Sequence, residues 1–381
     1  MLIAYATMHV LAIDDNRVRV RRYRFEGNMT FLMNPWRGAA LPPGLAAIPG
    51  DVADDPTGVE TLLARCPAHA ETPLVAMDRL AAGIGLRALH VKDERARMGL
   101  GSFKALGAAH VIARDAAAVM GNDPATALAG RTYVAASAGN HGVSLAAGAR
   151  VFGALAVIYL SETVPPAFAD HLRAKGADVV IEGADYAASM DAAAARAQVE
   201  GWTLLSDSTW EGYQVGHGVM EGYLVMAAEA ARQIPSPPTH IFLQAGVGGL
   251  AAACAAHARR VWGEAPRITV VEPEAARTLM ASIAAGAPTH AAGPVSIMGR
   301  LDCKDPSHMA LKSLAQTADA FMTVTDAECA AAIARLAPFG MATSPSGGAG
   351  FAGVLHAPRD LLGLGPDARV LIYLSEGPVD A

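Results

Sequence analysis

Short apolar runs alternate with alanine-rich helical patterns along most of this 381-residue chain, and that alternation limits what it can fold into. Strands are predicted at 131–136, 155–160, 178–182 and 202–205, with helices between them at about 142–152, 165–175 and 184–199. A second series opens with a strand at 240–244 and a helix from Gly248, passes through a strand at 267–272, and closes with one at 369–374. Strands separated by helices pair in parallel, and helices then cover both faces of the sheet. The fold class is therefore α/β, with mostly parallel sheets in α/β/α layers. The chain is longer than one core usually holds, so two domains are expected. No linker, repeat or low-complexity tract separates them, so they are interleaved.

The first 27 residues read as a hairpin. Asp14-Asp15-Asn16 turns the chain, and Arg17-Val18-Arg19-Val20-Arg21 alternates as the solvated face of a strand does. Residues 28–56 are rich in Pro and Gly and are expected to be irregular. Helical patterns at 56–66 and 77–85 flank Glu71-Thr72-Pro73-Leu74, and an apolar run at 88–91 reads as a strand.

Composition excludes several function classes. Hydrophobic residues make up 52% and charged residues 17%, which is the balance of a buried globular chain, not a disordered one. A formal charge of −6 argues against nucleic-acid binding. Cys66, Cys254, Cys303 and Cys329 lack metal-ligand spacing, so no metal is expected; they read as thiols of a reducing cytoplasm. No signal peptide is evident. The uncharged run 132–149 and the apolar run 233–258 are broken by Gly, Asn, Gln, His or Pro, so no membrane partner is expected.

Five loops carry residues suited to chemistry. In Gly101-Ser102-Phe103-Lys104 the lysine falls just inside a predicted helix start, where the helix dipole disfavours an ammonium. That placement suits an amine kept neutral or tied up as an imine. Gln244-Ala245-Gly246-Val247-Gly248-Gly249-Leu250 joins a strand to a helix. It is either a phosphate cradle or a site of tight packing. Its spacing is not that of a dinucleotide fingerprint, although Glu272 ends the next strand. Ser137-Ala138-Gly139-Asn140-His141-Gly142 also opens a helix and suits a carboxylate. Asn140 there is a ligand contact or a turn residue, and His141 reads as packed or capping more readily than as a base. Ser375 follows the last strand. Asp207-Ser208-Thr209-Trp210-Glu211-Gly212-Tyr213 follows another, where Asp207 lines a pocket or caps the next helix.

Together, Ser102-Phe103-Lys104, Ser137-Ala138-Gly139-Asn140-His141-Gly142, Gly246-Val247-Gly248-Gly249-Leu250 and Ser375 resemble the fold type II pyridoxal-phosphate enzymes. This is the superfamily of threonine dehydratase and the tryptophan synthase β-subunit. Asn34-Pro35, Thr72-Pro73-Leu74, Lys92-Asp93-Glu94, Asp207 to Tyr213, Ser296-Ile297-Met298, Ser346-Gly347 and Ser375-Glu376-Gly377 are most similar to the diaminopropionate ammonia-lyases. The resemblance covers about residues 30–381. It implies two interleaved domains with pyridoxal 5'-phosphate in the cleft between them: a larger one of 29–104 and 217–381, a smaller one of 105–216, and an N-terminal extension of 1–28.

By that resemblance Lys104 carries the cofactor through an imine and serves as the base, beside Phe103. Gly246, Val247, Gly248, Gly249 and Leu250 hold the phosphate, Asn140 contacts the cofactor hydroxyl, and Ser375 faces the pyridine nitrogen. Ser137, Ala138, Gly139, Asn140, His141 and Tyr213 receive a small amino-acid substrate, and Asp207 is a second candidate acid or base. The implied chemistry is β-elimination by a cytoplasmic homodimer, giving a 2-oxo acid and ammonia. A hydroxyl opposite the ring nitrogen makes a weaker electron sink than a carboxylate, which favours prompt loss of a β substituent.

Two departures bear on the substrate. Ala138 stands where the diaminopropionate lyases carry Asp, so Ser-Ala-Gly-Asn-His matches the threonine and serine dehydratases instead. Gly299-Arg300 stands where small residues are usual. Dehydration of a hydroxyamino acid is therefore the alternative activity. A nicotinamide-dependent dehydrogenase and a non-catalytic relative are the more distant ones.

Overall fold

The computed structural model describes residues 30–119 and 123–378, with the backbone alone at 7–10 and 21–24. Its strands are β1 (Thr7–Val10), β2 (Arg21–Arg24), β3 (Thr30–Met33), β4 (Leu74–Ala76), β5 (Ala88–Asp93), β6 (Thr132–Ala136), β7 (Leu155–Leu160), β8 (Asp178–Ile181), β9 (Thr203–Leu204), β10 (His240–Gln244), β11 (Arg267–Pro273), β12 (Ala320–Val324) and β13 (Arg369–Leu374). Contacts divide the chain into two compact units. The first comprises Met1–Asp55, Glu71–Ala96 and Met226–Ala381, and the second Pro56–Ala70 and Arg97–Val225.

The first unit holds a nine-stranded sheet in the order β1-β2-β3-β12-β11-β10-β13-β5-β4. Its central strands β12, β11, β10, β13 and β5 run parallel. Such strands are covered on both faces and read as continuous apolar runs. Every residue of β10 and β12 is buried, and Leu243, Val270 and Leu371 are wholly inaccessible. Each such side chain contributes about 1.5–3 kcal/mol. The flanking β1, β2, β3 and β4 are antiparallel. β1 pairs with β2 in a register placing Thr7 opposite Arg24. The turn expected at Asp14-Asp15-Asn16 lies outside the described residues.

The second unit holds a parallel four-stranded sheet in the order β8-β7-β6-β9. Val134, Ala136, Val157 and Tyr159 pack on Ala193 and Ala197 of the Tyr186–Glu200 helix. Small alanines let that helix approach the sheet closely.

The predicted strands and helices of both series are present, with ends displaced by one to a few residues. Residues 28–56 are more regular than expected. Thr30–Met33 forms β3 because Phe31 and Leu32 bury fully and pair antiparallel with β12, itself not predicted. The unit boundaries fall at 96/97 and 225/226, where 104/105 and 216/217 are expected, and 56–70 joins the second unit. The reason is packing. The turn bearing Lys104 lies on the Ala108–Ala118 and Asn140–Val151 helices, and the Thr57–Leu63 helix packs on Ala108–Ala118. Among the described residues no helix is long and apolar enough to cross a membrane.

The Thr72-Pro73-Leu74 and Lys92-Asp93-Glu94 stretches meet in the first unit. Lys92 is fully buried, and its ammonium donates to Thr72 O at 2.5 Å, Glu229 Oε2 at 2.6 Å and Gln233 Oε1 at 3.0 Å. Thr72 Oγ1 donates to Glu94 Oε1 at 2.6 Å. A buried charge needs such partners. These residues tie β5 to the Gly216–Gln233 helix and to the segment leading into β4.

Candidate active site

Lys104 does not open an α-helix. Ser102, in extended conformation, accepts the Lys104 N–H on its Oγ at 3.2 Å and starts a 3₁₀ turn, Phe103–Leu106. Gly107 then interrupts the helical dihedrals, and the α-helix begins at Ala108. Gly107 is required by packing: a Cβ there would lie 2.7 Å from Val219 Cγ1 and 2.8 Å from Tyr223 Cε1.

The electrostatic conflict at Lys104 is resolved by a partner. Its ammonium donates to Asp207 Oδ2, and both side chains are only about one-fifth exposed. Two rings flank the amine, with Nζ 5.2 Å from the centre of Phe103 and 5.5 Å from that of Tyr223. These rings pack on each other at 4.7 Å, tilted 57°. Burial alone would push the Lys104 pKa down, but Asp207 and Tyr223 outweigh it and hold it above the ordinary lysine value. Burial would likewise raise Asp207, yet the Lys104 ammonium holds its carboxyl below the usual range.

Asp207 does not cap a helix; it reaches Lys104 from the loop after β9. That loop is pinned by Tyr213, whose hydroxyl accepts from Ser206 N at 2.8 Å and donates to Leu204 O at 3.0 Å. Trp210 stacks on the Tyr213 ring at 4.1 Å. The Tyr213 hydroxyl is thus committed to backbone. His141 Nε2 donates to Leu205 O at 2.8 Å, leaving Nδ1 as the acceptor, buried and without a partner among the described residues. Burial lowers its pKa, so the ring is neutral.

Ser137 Oγ accepts the N–H groups of Gly139 and Gly142, both at 3.2 Å, which shapes the entry to the Asn140–Val151 helix. Ala138 is exposed there, and Asn140 is the first residue of the helix. Tyr223 belongs to this cluster, although the sequence did not single it out. It sits in an apolar helical pattern that reads as core.

Gly246 to Leu250 lie in the first unit, at the carboxyl end of β10. Gly248 takes φ 106°, a left-handed conformation that only glycine adopts readily, and it caps the Gly249–Trp262 helix without any side-chain hydrogen bond. A Cβ on Gly248 would lie 3.2 Å from Ala310 Cβ, and one on Gly246 2.9 Å from Cys303 Sγ. Tight packing and an uncapped helix N-terminus therefore coexist in this loop. Ser375 follows the neighbouring strand β13 and is 4% exposed. Glu376 beside it meets Arg300 Nε at 3.1 Å and accepts from the Ser344 hydroxyl. Ser296 accepts from Met298 N and donates to Asp326 Oδ1, both within the fold.

Glu272 serves no nucleotide. Its carboxylate accepts from Leu279 N at 2.7 Å and Met280 N at 2.8 Å, at the start of the Thr278–Ala285 helix. An acid consumed in this way cannot bind a ribose, which removes the structural basis for a dinucleotide reading.

Residues 66–376 match the family model described as "pyridoxal-phosphate dependent enzyme". The chain belongs to this family. Its cofactor is pyridoxal 5'-phosphate, and the residues present fit it. The second unit offers a lysine amine on a 3₁₀ turn. The first offers a glycine cradle that a Cβ would crowd and an uncapped helix N-terminus.

Among relatives of this pyridoxal-phosphate enzyme, diaminopropionate ammonia-lyase of Escherichia coli (strain K12) is 31% identical over 81% of this chain and 85% of its own. A probable D-serine dehydratase of Burkholderia thailandensis is 27% identical over 75% of this chain and 70% of its own. The crystal structure of the Escherichia coli diaminopropionate ammonia-lyase in complex with D-serine superposes with a TM-score of 0.81. It is 26% identical and covers 92% of this chain and 94% of that one.

Proposed function

We propose that this enzyme is an ammonia-lyase that removes the β substituent of a small amino acid of the 2,3-diaminopropionate type, yielding a 2-oxo acid and ammonia. The observation that carries the reading is Lys104 in its 3₁₀ turn, held by Asp207 and walled by Phe103 and Tyr223. The 31% identity to diaminopropionate ammonia-lyase over most of both chains supports the reaction class.

When bound, pyridoxal phosphate supplies an electron sink for the bond broken at the substrate Cα. Lys104 would anchor it, and the Lys104 amine would take the proton from the substrate Cα. Asp207 holds the Lys104 amine in place and stabilises its protonated form. The Ser137–His141 loop receives the substrate carboxylate, with Asn140 directed to the cofactor hydroxyl. Gly246 to Leu250 hold the phosphate through backbone N–H groups. Ser375 meets the ring nitrogen with a neutral hydroxyl. The β group departs with its bonding electrons, and the released enamine takes up water to give the 2-oxo acid and ammonia.

A second reading, dehydration of a hydroxyamino acid, is favoured by Ala138, whose exposed methyl offers no charge to a second amine. In either case we place the enzyme in the cytoplasm as a homodimer with the larger and smaller domains interleaved. Sedimentation of the purified protein tests the assembly.

The deciding experiment is ammonia and 2-oxo acid release from a panel of β-amino, β-hydroxy and β-chloro amino acids. Lys104→Ala is expected to abolish turnover, because anchor and base are lost together. A fully active Lys104→Ala protein, or borohydride labelling of a peptide without Lys104, would refute the assignment.

A further inference from the structure

The hydroxyl of Tyr223 is wholly buried, makes no hydrogen bond of good geometry among the described residues, and stands beside the Lys104 amine. An orphaned buried hydroxyl is destabilising, and its presence asks for an explanation. The surroundings supply one. The Tyr223 ring packs on Phe103, its centre is 5.5 Å from the Lys104 amine, and Gly107 leaves the space that its ring edge occupies. The titratable groups facing Lys104 are Asp207 from the loop after β9, His141 from the Asn140–Val151 helix, and Tyr223 from the Gly216–Gln233 helix.

Each of these groups has a fixed hydrogen-bonding character except one. Asp207 is an ionised acceptor, which serves the N–H groups of Lys104 and offers nothing to the lone pair of its free amine. His141 has its Nε2–H committed to Leu205 O, so only the Nδ1 lone pair remains. A phenol can both donate and accept. Burial holds the Tyr223 phenol up at about 12, so it keeps its proton at working pH.

We infer that Tyr223 is a positioning residue for Lys104, accepting from its ammonium and, after the hydroxyl turns, donating to the lone pair of its free amine. The inference rests on Lys104 being the base of the proposed elimination. In each turnover Lys104 takes up one proton from Cα and later returns one, while Tyr223 neither gains nor loses a proton. Its task is to hold the lone pair of the free amine, which Asp207, having no proton to donate, cannot do.

Tyr223→Phe removes the hydroxyl and leaves the ring against Phe103. In the holoenzyme we expect unchanged cofactor affinity and KM, kcat lower by roughly three- to tenfold, as for one lost hydrogen bond, and a larger α-deuterium isotope effect. In the cofactor-free protein, acetic anhydride labelling of Lys104, read by mass spectrometry, is expected at lower pH than in wild type, because the ammonium has lost an acceptor. Unchanged kcat, isotope effect and labelling profile, with a raised melting temperature, would overturn the inference: the hydroxyl would then be only a burden on the core. Should Tyr223→Phe fail to fold, Tyr223→3-fluorotyrosine keeps the shape and acidifies the phenol; an unshifted Lys104 labelling profile in that protein overturns the inference equally. A wild-type protein inactive on the whole substrate panel would instead strike the proposed reaction, and the labelling result would stand apart from it.

Discussion

The Lys104 amine and the Asp207 carboxylate form an ion pair between residues 103 positions apart in sequence. Asp207 favours the charged form of Lys104, so its removal lowers the pH at which the amine gives up its proton. Asp207→Asn is expected to shift acetic anhydride labelling of Lys104 in the cofactor-free protein to lower pH. It is also expected to reduce kcat by about two orders of magnitude, the scale of a lost acid–base partner. Wild-type kcat and an unmoved labelling profile would show that the pair has no part in turnover.

Gly248→Asp places a Cβ and a negative charge on a left-handed residue at the uncapped end of the Gly249–Trp262 helix. Cofactor affinity, read by equilibrium titration of the absorbance of bound pyridoxal phosphate, is expected to fall at least about tenfold, since anions at helix N-termini repel a second anion. An unaltered titration curve would put the phosphate elsewhere.

Stereochemistry follows from Ala138. A base must come within hydrogen-bond reach of the Cα proton, and Lys104 alone reaches one face of the substrate. Asp207 is engaged with Lys104, and Ala138 cannot accept a proton. The L-isomer of 2,3-diaminopropionate is therefore expected to react in marked preference to the D-isomer, and Ala138→Asp to raise the D-activity. Equal ammonia release from both isomers by wild type would defeat the single-base picture. If Asp207→Asn then removed only the D-activity, Asp207 would be the second base.

Glu272 links stability to pH. Burial raises its carboxyl from an ordinary 4.5 to about 8, against the opposing pull of the Met280 and Leu279 amides. The folded state thus binds a proton that the unfolded state has released. The stability this contributes is fully present below about pH 4.5 and is lost as pH rises through about 8. In chemical denaturation, Glu272→Gln is expected to flatten the pH dependence between these limits. A variant with the wild-type pH profile would show that Glu272 titrates normally.

Much of the candidate site was legible because strand–loop–helix junctions announce themselves locally. The 240–250 stretch shows an apolar run, glycines and a helical pattern in unbroken order, and the structure keeps that order. Lys104 was legible as an anomaly, a cation near a predicted helix start, but its resolution was not. Its partner is remote in sequence, and a 3₁₀ turn stands where the helix was expected. The role of Glu272 is not legible at the end of its strand, because the amides it serves begin seven residues later, at a helix whose start carries no other signal. β3 and β12 are not legible in the sequence because each becomes a strand by pairing with segments remote in the chain, β3 with β12 and β12 with β11.

The crowding of Gly107 against Tyr223 has a consequence for how this sequence can drift. Alanine at 107 is incompatible with the tyrosine ring and with Val219, whereas in a chain carrying smaller residues at 219 and 223 the same alanine would be harmless. The three positions form an epistatic set. A lineage that trims both Val219 and Tyr223 can fill the space at 107, and having done so cannot readily take the tyrosine back.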